Sequence, residues 1–178
     1  MKVIIIIAVV FVLYIIYEFN KFVTLRNKIK HSKSGIEVYL NQRFDLIPNL
    51  VEVVKGYAKY EETVLSKVAE LRQAYNAEKN KDLKKASELN NEVNHIMAVG
   101  EANPDLKGNE QFMNLQKNLS IIENNLQAAR RLYNGDVTLY NTAISSVPSN
   151  IIAAIFGFKE EQLFEIEEYK KENISIDL

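Results

Sequence analysis

The first part of the chain is a continuous apolar run, and it restricts the fold and location of the protein more than any other feature. After Met1 and Lys2, every residue from Val3 to Tyr17 is apolar, with isoleucine and valine predominating. A membrane-spanning helix usually needs about 20 apolar residues, within a range of roughly 17 to 25. As a helix, this run rises only about 22 Å, whereas the hydrocarbon core of a bilayer is about 30 Å thick. A spanning helix therefore needs its flanks, where Lys2 can extend outward and Phe19 and Phe22 suit the interface.

Two other interpretations of this run compete with a membrane anchor. A secretory signal would have a similar apolar region, but it would end in a small-x-small cleavage site. The segment Tyr17-Glu18-Phe19-Asn20-Lys21 offers no such site. A helix in the core of a soluble domain would normally carry one polar face, which the run lacks. The sequence thus favours an uncleaved, single-pass anchor.

The charges after the run predict its orientation. Glu18 is the one acidic residue from position 18 to position 33. The basic residues there are Lys21, Arg26, Lys28, Lys30 and Lys33. Because basic residues concentrate on the cytoplasmic side, we expect the C-terminal domain to lie in the cytoplasm. Lys21, Arg26 and Lys28 can also contact anionic headgroups, the alternative being a solvated helix face.

Composition excludes several classes of site. Beyond Lys2 and the apolar run, 21 of the 22 basic residues remain against 23 acidic ones, so the rest of the chain lacks the basic excess expected of a nucleic-acid-binding protein. There are no cysteines, which excludes disulfides, thiolate metal sites and cysteine nucleophiles. His31 and His95 have no neighbour at metal-ligand spacing, and no glycine-rich phosphate loop is present. We expect neither a cofactor nor enzymatic activity.

The rest of the chain carries a helical repeat of apolar residues. Pro48, Pro104 and Pro148 divide it into long segments. Within these, apolar residues recur at steps of three and four, as in helices packed along a coiled-coil seam. The seams are Phe22, Leu25, Ile29, Ser32, Ile36 and Tyr39; Ile47, Leu50, Val54, Tyr57, Glu61, Val64, Val68, Leu71 and Tyr75; and Phe112, Leu115, Leu119, Ile122, Leu126, Ala129, Tyr133, Val137, Tyr140 and Ile144. We therefore expect an all-α protein whose transmembrane helix continues into an antiparallel bundle of about four long helices.

Local signals mark the ends of these helices. Asp82 can cap a helix from Leu83 to Val99, which Gly100 would then stop. Asn103-Pro104-Asp105 with Gly108 is typical of a loop, and Asn109 can cap the last long helix. The expected domains are an anchor over 1–19, the bundle over 20–158 and an acidic tail over 159–178. The tail should begin with a helix-like contact of Phe164 and Ile166 and then fray.

Four motifs occur in one order along the chain. They are Arg43–Glu52 (RFDLIPNLVE), Pro104–Asn109 (PDLKGN), Ala129–Asn134 (ARRLYN) and Pro148–Phe158 (PSNIIAAIFGF). Together they resemble the LemA family of bacterial membrane-anchored helical proteins. The resemblance implies a single N-terminal anchor, a helical bundle and no established enzymatic activity. It also links the chain to relatives in magnetosome or other membrane organisation, and to membrane proteins with a TPM domain as partners.

Polar residues within these motifs form the candidate site. Asp45 precedes Pro48 and suits a helix cap. We expect a structural polar network that fixes the packing of two predicted helices. These are helix two, whose seam begins at Ile47, and helix four, whose seam begins at Phe112. Its candidates are Asp45, Asn49, Glu52, Arg130, Arg131, Asn134 and Asn141. A surface for a ligand or partner is the alternative. Glu61, on the seam of helix two, would join the same kind of network.

An apolar segment near the C-terminus is the second candidate. Every residue from Ile151 to Phe158 except Gly157 is apolar, and the segment is too short to span a bilayer. It would either dip into the membrane interface or pack at the base of the bundle beside the anchor. The residues expected to contact the membrane here are Ile151, Ile152, Ile155, Phe156 and Phe158.

Three functions follow from these features. The first is a membrane-anchored scaffold that self-associates, as a homo-oligomer, or holds a partner membrane protein. The second is a membrane-shaping protein that contacts the lipid bilayer through its basic segment and residues 151–158. The third, an enzyme or small-molecule sensor, would need a pocket between helices.

Overall fold

A computed structural model of the protein describes residues 1–55, 66, 68–70, 73 and 83–164. Those residues form six helices and no strand, so the predicted all-α class is confirmed for the described part of the chain. The chain divides into two compact units. The anchor unit comprises Met1–Lys33 and Ala129–Leu178, and the middle unit comprises Ser34–Ala128.

Helix α1 runs from Lys2 to Asp45, so the predicted continuation of the anchor into one long helix is confirmed. Of its predicted seam, Phe22, Ile29 and Ile36 are buried. Leu46 is a single turn residue before helix α2, Ile47–Lys55. Pro48 lies in the first turn of α2, where its missing N–H leaves no helical hydrogen bond unmade.

Helix α2 buries the part of its predicted seam that the structure describes, which is Ile47, Leu50 and Val54. The rest of the predicted helix two, including Glu61, lies outside the described residues, apart from short helical pieces. Among these pieces, Val68 of the predicted seam is buried.

Helix α3 runs from Leu83 to Ala102. The prediction that Gly100 stops this helix is wrong, because the helix continues through it. A Cβ atom at Gly100 would lie only 2.4 Å from Cζ of Phe112. The glycine therefore provides room for the Phe112 ring, and its lack of a side chain serves helix packing. The proposed cap, Asp82, lies outside the described residues.

The predicted loop after α3 contains a short helix, α4, from Pro104 to Lys107. The side chain of Asn103 caps it by accepting a hydrogen bond from Asp105 N at 3.1 Å. The next cap was predicted correctly, since Asn109 Oδ1 accepts from Phe112 N at 3.0 Å at the start of the last long helix. The sequence Asn103-Pro104-Asp105 favours the one-turn helix α4, because a capping side chain and a proline both favour a first helical turn.

Helix α5 runs from Glu110 to Ser145 and follows its predicted seam. Leu119, Leu126, Tyr133, Val137 and Tyr140 are all buried. Two successive steps of four after Ala129 break the regular alternation at Tyr133 and Val137. Both residues remain buried there, so the seam continues through this stutter.

Helix α6, from Ser149 to Ile155, follows the cis Val147–Pro148 peptide bond. It ends in a turn at Gly157, whose φ of 72° is in the left-handed region that glycine adopts without strain. Phe158 N donates to Ala153 O at 3.0 Å, and Gly157 N donates to Ala154 O at 3.3 Å. This pair of bonds is the Schellman pattern of helix termination.

After the turn, residues 159–164 are not helical, so the predicted helix-like start of the tail is wrong. We call residues 159–164 the strap. The strap forms no helix, and its backbone groups make hydrogen bonds with side chains of α5. Ile166, the other residue of the predicted contact, lies outside the described residues.

Candidate functional site

The apolar run of α1 is solvent-facing in the isolated chain. Among its large apolar side chains, those exposed are Val3, Ile4, Ile5, Ile6, Ile7, Val9, Val10, Phe11, Val12, Leu13, Ile16 and Tyr17. By length and composition, one helix in the described part of the chain could cross a membrane. It lies within Lys2–Lys55, near the N-terminus. Exposed aliphatic side chains around a whole helix are stable only in an apolar surrounding such as lipid.

A partly buried ion pair lies directly after this run. Glu18 is only 6% exposed, and Lys21 Nζ lies 3.2 Å from its carboxylate. The two residues are three apart on α1, so they share one face of the helix. Glu18, the one acidic residue among residues 18–33, is therefore paired with Lys21, the first of the basic residues predicted to contact the membrane.

The other two basic residues predicted to contact the membrane are Arg26 and Lys28. Arg26 Nε lies 3.9 Å from a carboxylate oxygen of Glu161, with both side chains partly open to water. Lys28 is exposed. A long, exposed ion pair of this kind contributes little to stability, about 0 to 1 kcal/mol.

Four phenylalanine rings join α1 to the end of α6. Phe19 meets Phe156 at 5.0 Å and Phe158 at 5.6 Å between ring centroids. Phe22 meets Phe158 at 5.2 Å. All three contacts are edge-to-face, the arrangement that aromatic quadrupoles favour. The end of the predicted apolar segment thus packs beside the anchor, one turn after its apolar run.

The same segment also presents apolar side chains to the outside. Ile152 is buried, whereas Ile151 is 61%, Ile155 73% and Phe156 49% exposed. The alternative of packing beside the anchor therefore applies to only part of Ile151–Phe158. One face packs within the anchor unit, and the opposite face is open.

The strap is held against α5 by two asparagines of the predicted polar network. Asn134 Nδ2 donates to Phe164 O at 3.1 Å, and Asn134 Oδ1 accepts from Phe164 N at 2.7 Å. Asn141 makes the same pair of bonds with Glu161, at 2.8 and 3.0 Å. Each side-chain amide thus satisfies both backbone groups of one strap residue, as a neighbouring β-strand would.

The residue before each asparagine adds a further bond. Tyr133 Oη donates to Gln162 O and Tyr140 Oη to Lys159 O, both at 3.0 Å. Burial and then the Glu161 charge raise the pKa of Tyr133. Burial also raises the pKa of Tyr140, with Arg26 lowering it and Glu161 raising it by smaller amounts. We call these two Tyr-Asn pairs and the strap the clasp.

The spacing of the clasp has a simple geometric basis. The Tyr-Asn pairs at 133–134 and 140–141 are seven residues apart on a helix, which is about 10.5 Å along its axis. Their strap partners are three residues apart, which is about 10 Å in an extended chain. Seven residues of helix therefore span about the same length as three residues of extended chain. The repeat Leu-Tyr-Asn at 132–134 and 139–141 is the sequence signal that could have revealed it.

The other predicted network residues are distributed between the units. Arg130 of the anchor unit lies over the Phe164 ring at 4.7 Å, and Arg131 is exposed. Asp45, at the last position of α1 in the middle unit, is exposed. Asn49 and Glu52 of the middle unit line an open cleft of about 510 Å³. Its other lining residues are Val53, Asn109, Gln111, Asn114 and Leu115.

A cluster around the buried side chain of Arg43, in the middle unit, was missed by sequence reasoning. Arg43 is 2% exposed, and its guanidinium donates to Glu123 Oε2 and to Asn94 Oδ1. Asn90, one turn before Asn94 on α3, is also buried. The signal was available, because continuing the first seam from Ile36 by steps of four and three reaches Leu40 and then Arg43.

Metal ligation and catalysis have few candidate groups in the part of the chain that is described. There, no three His, Cys, Asp or Glu side chains are grouped closely enough to hold a metal ion. His31 and His95 are both exposed. The cleft at Asn49 has one carboxylate, that of Glu52, among its amide and aliphatic side chains.

Comparison with known proteins gives a family and several named relatives. A sequence model of the LemA family matches residues 32–178. Magnetosome protein MamQ 1 of Paramagnetospirillum magneticum is 24% identical over 186 residues, spanning 89% of this chain and 68% of the relative. MamQ of Magnetospirillum gryphiswaldense is 23% identical, spanning 88% and 68%. Protein LemA of Metamycoplasma hominis is 24% identical over 171 residues, spanning 92% and 77%.

Proposed function

Because this chain belongs to the LemA family, we propose that it is a non-enzymatic scaffold of the bacterial cell membrane. It would act through self-association or by holding a partner membrane protein. The observation that carries this proposal is the continuity of α1, which joins an exposed apolar run to packed helices without a break. Such a helix fixes the domain to the membrane with no flexible linker, as a scaffold requires.

The proposed orientation places the domain in the cytoplasm. The basic residues after the apolar run support it through the positive-inside rule. Glu18, the acid among them, is paired with Lys21, so it detracts little from that bias. Accessibility of an added cysteine at an exposed site such as Lys28 to a membrane-impermeant reagent, in intact cells, tests this orientation. Labelling without permeabilisation would contradict it.

A surface suited to self-association lies on α5 in the anchor unit. Leu132 and Leu139, seven residues apart, are 58% and 59% exposed. Gly135 lies between them with no atom within 4 Å of where a Cβ would stand. Two leucines flanking a glycine on one helix face allow a second helix to approach closely and bury them.

The mass of the full-length protein in detergent, measured by light scattering, tests self-association. We expect a discrete oligomer, and we expect Leu132→Glu with Leu139→Glu to convert it to a monomer. Val38→Glu is the matched control, because Val38 is also an exposed aliphatic residue of a helix, at 48%. A wild-type monomer, or an oligomer that survives the double change, would refute assembly through this surface.

A partner membrane protein is the other route. Two of the named relatives are magnetosome proteins, and the family resemblance indicates membrane proteins with a TPM domain as partners to test. Site-specific crosslinking in cells from Leu132 and Leu139 would capture such a partner. Crosslinks only between copies of this chain would favour self-association instead.

The proposal of a non-enzymatic role has support in the chemistry of the cleft. Acid–base catalysis generally uses a pair of titratable groups held at different pKa values. Glu52 is the one titratable side chain among the residues lining the described cleft. A reaction abolished by Glu52→Gln in a folded protein would overturn this part of the proposal.

Membrane shaping is the alternative function, favoured by the exposed side chains of Ile151, Ile155 and Phe156 beside the anchor. Apolar side chains inserted into one leaflet expand that leaflet relative to the other. Protein reconstituted alone into vesicles would then change their shape, as seen by electron cryo-microscopy. A scaffold that needs a partner would leave them spherical.

A further inference from the structure

The apolar run of α1 is short for the bilayer it is proposed to cross. Fifteen residues from Val3 to Tyr17 rise about 22 Å against a hydrocarbon thickness of about 30 Å. The missing length is about 8 Å, or roughly five helical residues. Counted onward from Tyr17, five residues end at Phe22. The layer of the protein between Tyr17 and Phe22 is therefore where the anchor needs additional apolar surface.

That layer is where α6 is attached. Phe19 and Phe22 are the two α1 residues whose rings meet Phe156 and Phe158. The layer contains two charged residues, and they pair with each other, since Lys21 Nζ lies 3.2 Å from the carboxylate of the buried Glu18. Lysine can carry its ammonium toward water along an extended stem, so this pair suits the edge of a membrane.

The outer face of α6 supplies apolar surface at this level. Ile151, Ile155 and Phe156, which we call the foot, are all about half or more exposed. No charged residue occurs between Asp136 and Lys159, so the foot lies within a long uncharged stretch. Exposed isoleucines grouped on a helix of this kind are typical of segments that lie in the membrane interface.

The foot is also fixed in direction. Ser149 Oγ bonds to Ala143 O at 2.7 Å at the start of α6, and the Gly157 turn closes its end through Phe158 N. The strap that follows is held to α5 by the clasp. With both ends held, the face that carries Ile151 and Ile155 cannot turn away from its position beside the anchor.

We propose that the foot inserts into the boundary between headgroups and acyl chains of the leaflet through which α1 leaves the membrane. The occupant of this surface is the bilayer itself. The inserted side chains extend the apolar band of the anchor from Tyr17 to the level of Phe22. This inference rests on the proposed membrane anchor, but not on self-association or on any partner.

The chain contains no tryptophan, so a single introduced tryptophan reports on one site alone. Ile151→Trp and Ile155→Trp test the foot, and both sites are open enough to accept the larger ring. Leu163→Trp is the control, because Leu163 is 52% exposed but lies in the strap beside Tyr133 and Asn134. Each full-length variant is reconstituted into phosphatidylcholine vesicles with and without lipids brominated on their acyl chains.

We expect brominated lipids to quench the fluorescence of the two foot variants at least severalfold more than that of the control, and their emission to be blue-shifted. Equal, weak quenching at all three sites would overturn the proposal. Blue-shifted emission without quenching by brominated lipid would also overturn it, since protein would then cover the foot. Flotation of the same vesicles distinguishes the two proposals, because protein that floats yet shows no quenching retains the anchor and refutes only the foot.

Discussion

The Arg43 cluster of the middle unit and the clasp of the anchor unit use polar side chains of opposite character. In the middle unit, the Arg43 guanidinium is 2% exposed and bonds to the Glu123 carboxylate and the Asn94 amide. In the anchor unit, the clasp uses neutral groups, with Asn134 and Asn141 bonding to backbone of the strap. A buried charge is costly unless its partner is present, whereas a neutral amide–backbone bond contributes modestly and locally. The comparison predicts a global effect for changes in the first set and a local one in the second.

The largest effect is expected at Arg43. Arg43→Ala should lower the free energy of unfolding by about 3–5 kcal/mol, because it leaves Glu123 without its charged partner and opens a cavity. Denaturant unfolding in detergent, followed by circular dichroism, measures this change. Arg131→Ala, at an exposed arginine of α5, is the control and should change stability by less than about 0.5 kcal/mol.

Combining Arg43→Met with Glu123→Gln sharpens the test. Removing both charges should recover part of the loss, since no unpaired charge is left behind. Equal stability of Arg43→Ala and the wild type would contradict the assignment of a buried charge to this cluster.

A smaller effect is expected in the clasp. Asn134→Ala and Asn141→Ala each remove two hydrogen bonds, at about 0.5–1.5 kcal/mol per bond. The strap should open while the helices stay folded. Hydrogen exchange at the Glu161 and Phe164 amides should therefore speed up about tenfold for each 1.4 kcal/mol lost.

Asn125→Ala, at an exposed position of α5, is the matched control and should leave those two amides unchanged. If the clasp variants instead destabilised the whole protein by as much as Arg43→Ala, the contrast between the two units would be wrong.

Two glycines of the anchor unit give opposite expectations. Gly157→Ala forces a side chain into the left-handed region and should cost about 1–2 kcal/mol. Gly135→Ala, within α5 and with open space at its Cβ, should stabilise by about 0.5–1 kcal/mol. Thermal unfolding compares them. A stabilising Gly157→Ala would show that the turn at the end of α6 is not needed to direct the strap.

The smallest effect is a dependence on alkaline pH. Burial raises the pKa values of Tyr133 and Tyr140 above 10.0, so the folded state retains their protons where the unfolded state loses them. Their contribution is therefore constant below pH 10.0 and is lost as the pH rises above that value. The free energy of unfolding should fall less steeply above pH 10.0 in Tyr133→Phe with Tyr140→Phe. An unchanged slope would contradict a role for these phenols.

Much of the fold was predictable because it depends on local periodicity. The apolar run, the seams of α1 and α5 and the Asn109 cap each depend on residues close in sequence. Gly100 was misread for the complementary reason. A glycine near a helix end is typical of a stop, but its use here depends on Phe112, which belongs to another helix.

The candidate sites were predicted less well than the fold. Asn134 and Asn141 are among the predicted network residues, but their backbone partners, Phe164 and Glu161, lie in a segment that was expected to be helix-like. Arg43 lies beyond the first predicted seam, which ends at Tyr39, so the seam pattern does not mark it. Its partners, Glu123 and Asn94, come from two distant helices, and no local pattern links them.

The sequence by itself determined that this protein is helical, belongs to the LemA family and begins with a helix apolar on every side. These properties follow from composition, spacing and motif order, which need no knowledge of distant contacts. The tertiary structure alone decided which face of Ile151–Phe158 is buried, what the Tyr-Asn pairs hold and where the deeply buried Arg43 finds its acid. Each of those depends on which residues meet across the fold, because the energy of a polar or apolar side chain is set by the neighbours that replace water around it.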